Sequence, residues 1–196
     1  TADANDCAPL NAAIRPGAAE ICGNNIDDDC DGATDEGCTV ANLPRMTITG
    51  SLVTEGNSGI RTITFLITLN KKSNIPVTAQ YQTANNTAIA SQDYVQKNGT
   101  VSFPANSLLQ TLTVQVKGDV LNETNENFMV LLSDPVNATL TNNNAPGYIL
   151  NDDPVPAVRV SDVTTTESSQ QVLVKISLTK PSGQLITVKF DTKDGS

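Results

Sequence analysis

The sequence predicts an all-β chain: one whole seven-stranded antiparallel sandwich, part of a second, and a small disulfide-stapled acidic loop ahead of both. Three observations carry this. From Arg45 onward, apolar residues recur at every second position in short runs separated by turn residues, the pattern of strands with one buried face. Residues 157–196 repeat the pattern of residues 45–87. All four cysteines and nine of the 21 acidic residues fall in the first 44 positions. The apolar residues are mainly Val, Ile and Leu among Thr, Ser, Asn and Gln, which suits a pleated surface. No stretch reads as an amphipathic helix.

Residues 1–44 form the first element. The net charge is −9, yet this segment sets nine acids against Arg15 alone, while the remainder is nearly balanced. The acidity is therefore local. It excludes nucleic acid as a partner, since phosphates demand a basic face. Cys7, Cys22, Cys30 and Cys38, an even number in a short core-poor stretch, read as two disulfides and hence an oxidising, extracytoplasmic compartment. A thiolate zinc site is the lesser alternative, because the chain has no histidine and carboxylates dominate. Three pairings stay open. No apolar run reaches membrane-spanning length.

The second element, residues 45–153, holds seven short strands. Their inward positions are Met46 and Ile48; Ile63, Phe65, Ile67 and Leu69; Val77, Ala79 and Tyr81; Val101 and Phe103; Leu112, Val114 and Val116; Phe128, Val130 and Leu132; and Tyr148 and Leu150. Turn signals such as Asn57-Ser58-Gly59 and Asn98-Gly99 separate them. Seven such strands describe an immunoglobulin-like sandwich. The third element, residues 154–196, starts with Pro154 and Pro156, a stiff extended connector. It continues as a partial second repeat: "AVRVSDVTTTE" aligns with "RMTITGSLVTE", and "VKISLTKPSGQ" with "FLITLNKKSNI". About three strands cannot close a sandwich alone, so the parent chain is expected to continue, or a partner to complete it.

The acids of the complete repeat fall between strands. In an antiparallel sandwich successive connections alternate ends, which puts Glu55, Asp119, Glu123, Asp152 and Asp153 at one end and Lys71 and Lys72 at the other. Asp93 and Glu126 lie at the acidic end too, undecided between ligand and turn duty. Unpaired carboxylates repel. A hard cation with six to eight irregular oxygen ligands, calcium, answers that better than magnesium or a transition metal.

The motifs "VTEGNSG", "DYVQKNGTVSF", "VKGDVLNETNENFMVLLSDP" and "GYILNDDP" together resemble the Calx-beta domain, over residues 45–153 and partially 157–196. The resemblance implies calcium ligands from a Glu after the first strand, an acid after the third, an Asp-Asp…Glu run after the fifth and an acidic cluster at the domain's end. Glu55, Asp119, Glu123, Asp152 and Asp153 match those positions. Asn85-Asn86 stands where the family has an acid, and Gly118 replaces the first Asp of the pair, which implies fewer or weaker ions.

The stretch "ICGNNIDDDCDGATDEGC" resembles a short acidic, cysteine-containing metal-binding repeat of secreted bacterial proteins, a family associated with copper. Its residues argue for calcium instead. Asp27-x-Asp29-x-Asp31-Gly32 is the front half of an EF-hand-like loop, with oxygens on alternate residues and Gly at the sharp turn. Asp35 or Glu36 must then close the site, because Cys38 stands where a twelfth-position Glu belongs. Copper is poorly served without histidine or a nearby methionine.

The expectation is a non-catalytic, calcium-braced module of a large extracellular or cell-surface protein of bacterial type, serving in an adhesin, stalk or filament. Its partners are neighbouring repeats of the same or adjacent chains. The alternatives are a calcium-sensing regulatory module and an accessory domain of a secreted hydrolase. Catalysis within the chain is not expected: there is no histidine, no Gly-rich phosphate loop and no nucleophile paired with a base.

Overall fold

A computed structural model describes residues 7–22, 24–37 and 43–194. Among them there are eleven strands and no helix. Nine make the complete repeat: β1 (Arg45–Thr49), β2 (Ser51–Thr54), β3 (Ile60–Leu69), β4 (Val77–Asn85), β5 (Asn98–Phe103), β6 (Leu109–Lys117), β7 (Glu126–Val136), β8 (Thr139–Asn142) and β9 (Asn144–Leu150). They form two facing sheets, of order β6-β3-β1-β8 and β2-β9-β7-β4-β5.

Seven segments become nine strands because the first and the last each cross from one sheet to the other. The first crosses at Gly50, where a Cβ would come within 2.7 Å of the Pro146 carbonyl oxygen. The last crosses at Asn143, between β8 and β9. The two crossing segments run side by side, so β1 pairs with β8 and β2 with β9 in parallel, while the other pairings are antiparallel.

The alternation expected from the sequence fills the space between the sheets. Met46, Ile48, Ile63, Phe65, Ile67, Leu69, Val77, Ala79, Val101, Phe103, Leu112, Val114, Val116, Phe128, Val130 and Leu132 are all buried. The last strand departs from expectation: Tyr148 is 46% exposed, and Ala145, Gly147 and Ile149 face inward instead. Gly147 sits under two rings, since a Cβ there would lie 2.7 Å from Cζ of both Phe65 and Phe128. Those rings meet edge to face at 5.9 Å, and Tyr94, from the β4–β5 connection, stacks on Phe128 at 4.4 Å.

The second repeat contributes β10 (Val158–Val160) and β11 (Ile176–Leu178), an antiparallel pair. Two strands form where about three were expected. Their register reproduces that of the first repeat. Met46 faces Leu69 and Ile48 faces Ile67 in β1–β3; the aligned Val158 faces Leu178 and Val160 faces Ile176. The same cap closes both pairs: the Arg45 N–H donates to Asn70 Oδ1 (2.7 Å), and the Ala157 N–H donates to Thr179 Oγ1 (2.8 Å).

In the N-terminal element Cys7 and Cys30 form a disulfide, with Cα atoms 5.7 Å apart. Cys22 is disulfide-bonded as well, and Cys38 lies outside the described residues.

Candidate metal centre

Three chain segments meet at one end of the sandwich. The Glu55 N–H donates to the Leu150 carbonyl (3.1 Å), which lines the end of β2 up with the end of β9. The Gly56 N–H donates to Asp152 Oδ1 (3.0 Å) and Asn57 Nδ2 to Asp153 Oδ1 (2.7 Å). Asn122 and Asn151 both donate side-chain N–H to the Asp153 carbonyl, at 2.9 and 3.0 Å. Asn151 Oδ1 in turn accepts the Glu123 N–H at 3.1 Å. The loops are thus tied together by amides, and the carboxylates are left facing one another.

Two constellations result. Carboxylate oxygens of Glu55, Asp152 and Asp153 lie within 4.8 Å of one another, and so do those of Asp93, Glu123 and Glu126. Glu55 and Asp153 are each only 5% exposed, yet Glu55 Oε1 and Asp153 Oδ2 have no hydrogen-bond partner. A buried carboxylate oxygen without a donor is expensive. Here the cost registers on the proton. Burial, then the charges of Asp119, Glu123, Asp153 and Asp152, push the Glu55 carboxyl up to about 7. Burial, then the charge and hydrogen bond of Asp93 and the charges of Glu123 and Glu55, push Glu126 up to about 7. Burial, followed by the charges of Asp119, Asp93 and Asp153, also raises Glu123. The two constellations therefore act on each other as one acidic end.

Asp119 belongs to neither close trio. Its Oδ1 accepts the Leu121 N–H at 2.7 Å, while its charge bears on both Glu55 and Glu123. Asp93 and Glu126, which sequence left undecided, are drawn into the second trio instead. Asn85 takes no part: its Oδ1 accepts the Tyr94 hydroxyl (2.6 Å) and the Ala90 N–H (2.9 Å), holding the stacked ring. Gly118 has its own reason. A Cβ there would run into the backbone of Glu55 and Gly56. The loop comes so close that no aspartate fits.

The N-terminal loop holds two further groups: Asp27, Asp29 and Asp31, and Glu20, Asp29 and Glu36, each with oxygens within 4.8 Å. Asp29 belongs to both. Backbone amides fold the loop around its acids. Asp27 accepts from Asp31 (3.2 Å) and Gly32 (2.9 Å), and Glu20 accepts from Asp28 (2.8 Å), Asp29 (3.1 Å) and Asp35 (2.9 Å). The positive φ values of Gly32 (96°) and Cys30 (59°) mark the sharp turns. Desolvation and then the charges of Asp31, Glu20 and Asp27 raise Asp29. Glu36 is lowered by a hydrogen bond from its own backbone, but desolvation and the charges of Asp31, Glu20 and Asp29 outweigh it and the net shift is upward. Glu36 Oε2 is buried without a partner. Asp35 stands outside both groups, its Oδ2 accepting the Asn25 N–H at 3.2 Å. Asp28 is structural: 2% exposed, its Oδ2 takes the Ile21 N–H and Asn24 Nδ2, each at 2.8 Å. Glu20 was not among the expected ligands, although it stands two residues before Cys22, at the threshold of the acidic cysteine-containing stretch.

Comparison with known proteins points to two families. Residues 6–36 match the metal-binding motif family designated Cu-binding MopE. The apo-form Calx CBD1 domain is 25% identical with a TM-score of 0.50, covering 57% of this chain and all of that one. The CBD12 structure from CALX1.2 is 25% identical (TM-score 0.51), and that of the calcium binding domain CBD12 of CALX1.1 is 26% identical (0.51). They cover 67% and 64% of this chain, which spans only 56% and 54% of their lengths. No curated protein matches the chain. Residues 51–154, and again 150–196, match the Calx-beta domain model, and the chain belongs to that family.

Proposed function

We propose that the chain is a non-catalytic, calcium-braced module of a large extracellular or cell-surface protein, an adhesin, stalk or filament, in which the ion stiffens the junction between repeats. The observation that carries this is the pair of buried, partnerless oxygens, Glu55 Oε1 and Asp153 Oδ2, in an all-carboxylate constellation. Such a donor set is hard, anionic and irregular, which suits calcium and does not suit copper. Glu55, Asp152 and Asp153 hold one ion, with Asp93, Glu123 and Glu126 beside it. Bound calcium supplies the positive charge that lets all of them ionise together. The similar CBD12 of CALX1.1 is itself a calcium binding domain.

Asp153 directly precedes Pro154, and Pro156 is buried. An ion on Asp152 and Asp153 therefore fixes the first residues of the connector, and its removal leaves like charges at a hinge. The Asp27–Asp31 loop is a second calcium site, held by the Cys7–Cys30 bridge. That bridge supports an oxidising compartment. Small-angle scattering of the 196-residue chain in calcium and in chelator tests the stiffening. A narrower spread of inter-repeat distances in calcium supports it, and identical profiles overturn it.

A further inference from the structure

The loop after the second long strand is built the same way in both repeats. Ser73 Oγ donates to the Ile75 carbonyl (2.8 Å) and accepts the Ile75 N–H (3.2 Å). At the aligned position, Ser182 Oγ donates to the Gln184 carbonyl (3.2 Å) and accepts the Gln184 N–H (3.1 Å).

Each serine turn faces the acidic element immediately upstream. The Ser73 turn, with Lys71 and Lys72, lines a cleft of about 400 Å³ whose other wall includes Glu20 and Cys22. The Ser182 turn seats on the acidic end of the first repeat. The Gly183 N–H donates to the Asn122 carbonyl (3.2 Å), Ser182 Oγ reaches the same oxygen (3.4 Å), and Asn122 and Ser182 form a parallel β-bridge. Asn122 is only 8% exposed, and its side chain holds the Asp153 carbonyl.

Gly183 shows how close the seat is. Its φ is not in the left-handed region, so its backbone admits any residue. A Cβ, however, would collide with Glu123 Oε1 and lie 2.8 Å from its Cγ and 3.0 Å from its Cδ. Glu123 is one of the three acids of the second constellation.

We propose that the serine turn of the second repeat is a joint that seats the acidic, cation-holding end of the first, and that bare Gly183 lets this joint close on Glu123. The nature of the seated end rests on the calcium reading; the contact itself does not need an ion. Through Glu123, the position of repeat two and the occupancy of the ion site report on each other.

The test uses Gly183→Val and Gly183→Ala in the 196-residue chain, with Lys180→Ala as a nearby control. Scattering in chelator reads the joint alone. Gly183→Val should increase the maximum dimension and the inter-repeat spread, and Lys180→Ala should not. A Gly183→Val profile superimposable on wild type overturns the joint, whatever calcium does. Calcium titration reads the coupling. Gly183→Ala should weaken binding about tenfold by turning Glu123 away, in the range of losses from disturbing a supporting contact. The same alanine should have no effect in a Glu123→Ala background, where the atoms it meets are gone. Equal losses in both backgrounds overturn the role of Glu123. A wild-type chain that binds no calcium sinks the calcium reading, and scattering still decides the joint.

Discussion

Replacing Glu55 with glutamine separates the two consequences of burying its charge. Glu55 and Asp153 are each 5% exposed, and their carboxylate oxygens lie within 4.8 Å of each other. Two charges at that distance repel by about 3 kcal/mol at an effective dielectric near 20. At pH 8, above the Glu55 value of about 7, Glu55 carries its charge when no cation is bound. Glutamine keeps the shape and removes the charge. In chelator it should stabilise the sandwich by ~1–3 kcal/mol after screening, which is roughly 4–10 °C for a domain of this size. In calcium the order should reverse. The wild type gains about 2.7 kcal/mol at a hundredfold excess over Kd, whereas a neutral amide is a weak ligand and the variant gains little. Thermal melts of both proteins in chelator and in calcium should therefore cross. A glutamine variant that melts lower in chelator makes Glu55 an ordinary acceptor of the fold. A variant that keeps the full calcium shift puts the ion elsewhere. Either result removes the basis of the site.

Three further outcomes are expected. Folding raises Glu55 and Glu126 from 4.5 to about 7, so between those values the folded chain binds more protons than the unfolded one. In chelator its melting temperature should fall as pH rises from 4.5 to 7 and level off above, while calcium flattens the slope; a rise across that window contradicts the assignment. Reducing Cys7–Cys30, which closes a span of 23 residues, should release about 3 kcal/mol of constraint on the N-terminal loop. Hydrogen exchange should then quicken in residues 7–37 with the sandwich melt unmoved, and an equal loss in the sandwich speaks against a separate module. Gly147→Ala should cost about 1–3 kcal/mol in chemical unfolding, because its Cβ meets both Phe65 and Phe128; a neutral result means the rings yield.

Alternation of apolar residues was enough to place the buried face of six of the seven expected strands, where the large alternate residues are the ones that pack between the sheets. It failed at "GYIL", where the large Tyr148 faces solvent and Gly147 takes the inward place. A glycine beneath two aromatic rings leaves no hydrophobic signal of its own. The crossings at Gly50 and Asn143 were hidden for a related reason: a strand that changes sheets keeps its period. At the acidic end, connection parity put Glu55, Asp152 and Asp153 together, as they stand in the first trio. It could not rank Asp93 and Glu126 against Asp119, because close approach there depends on how the 86–97 connection packs Tyr94 onto Phe128. Nor could it explain Gly118, whose reason is a backbone contact with Glu55 and Gly56. In the first 44 residues the alternating aspartates were visible as a loop pattern. Glu20, which gathers three backbone amides, looked like a lone acid because its partners lie eight to fifteen residues onward.

The most direct measurement is a calorimetric titration of calcium into the metal-stripped chain at pH 7, repeated in two buffers of different ionisation heat, with magnesium and copper as comparisons. Ion binding to carboxyls held near 7 must displace protons. The account predicts calcium-selective heat, proton release that scales with the buffer, and loss of most of that release in Glu55→Gln. Absence of calcium heat, or heat with copper alone and no proton release, would contradict it.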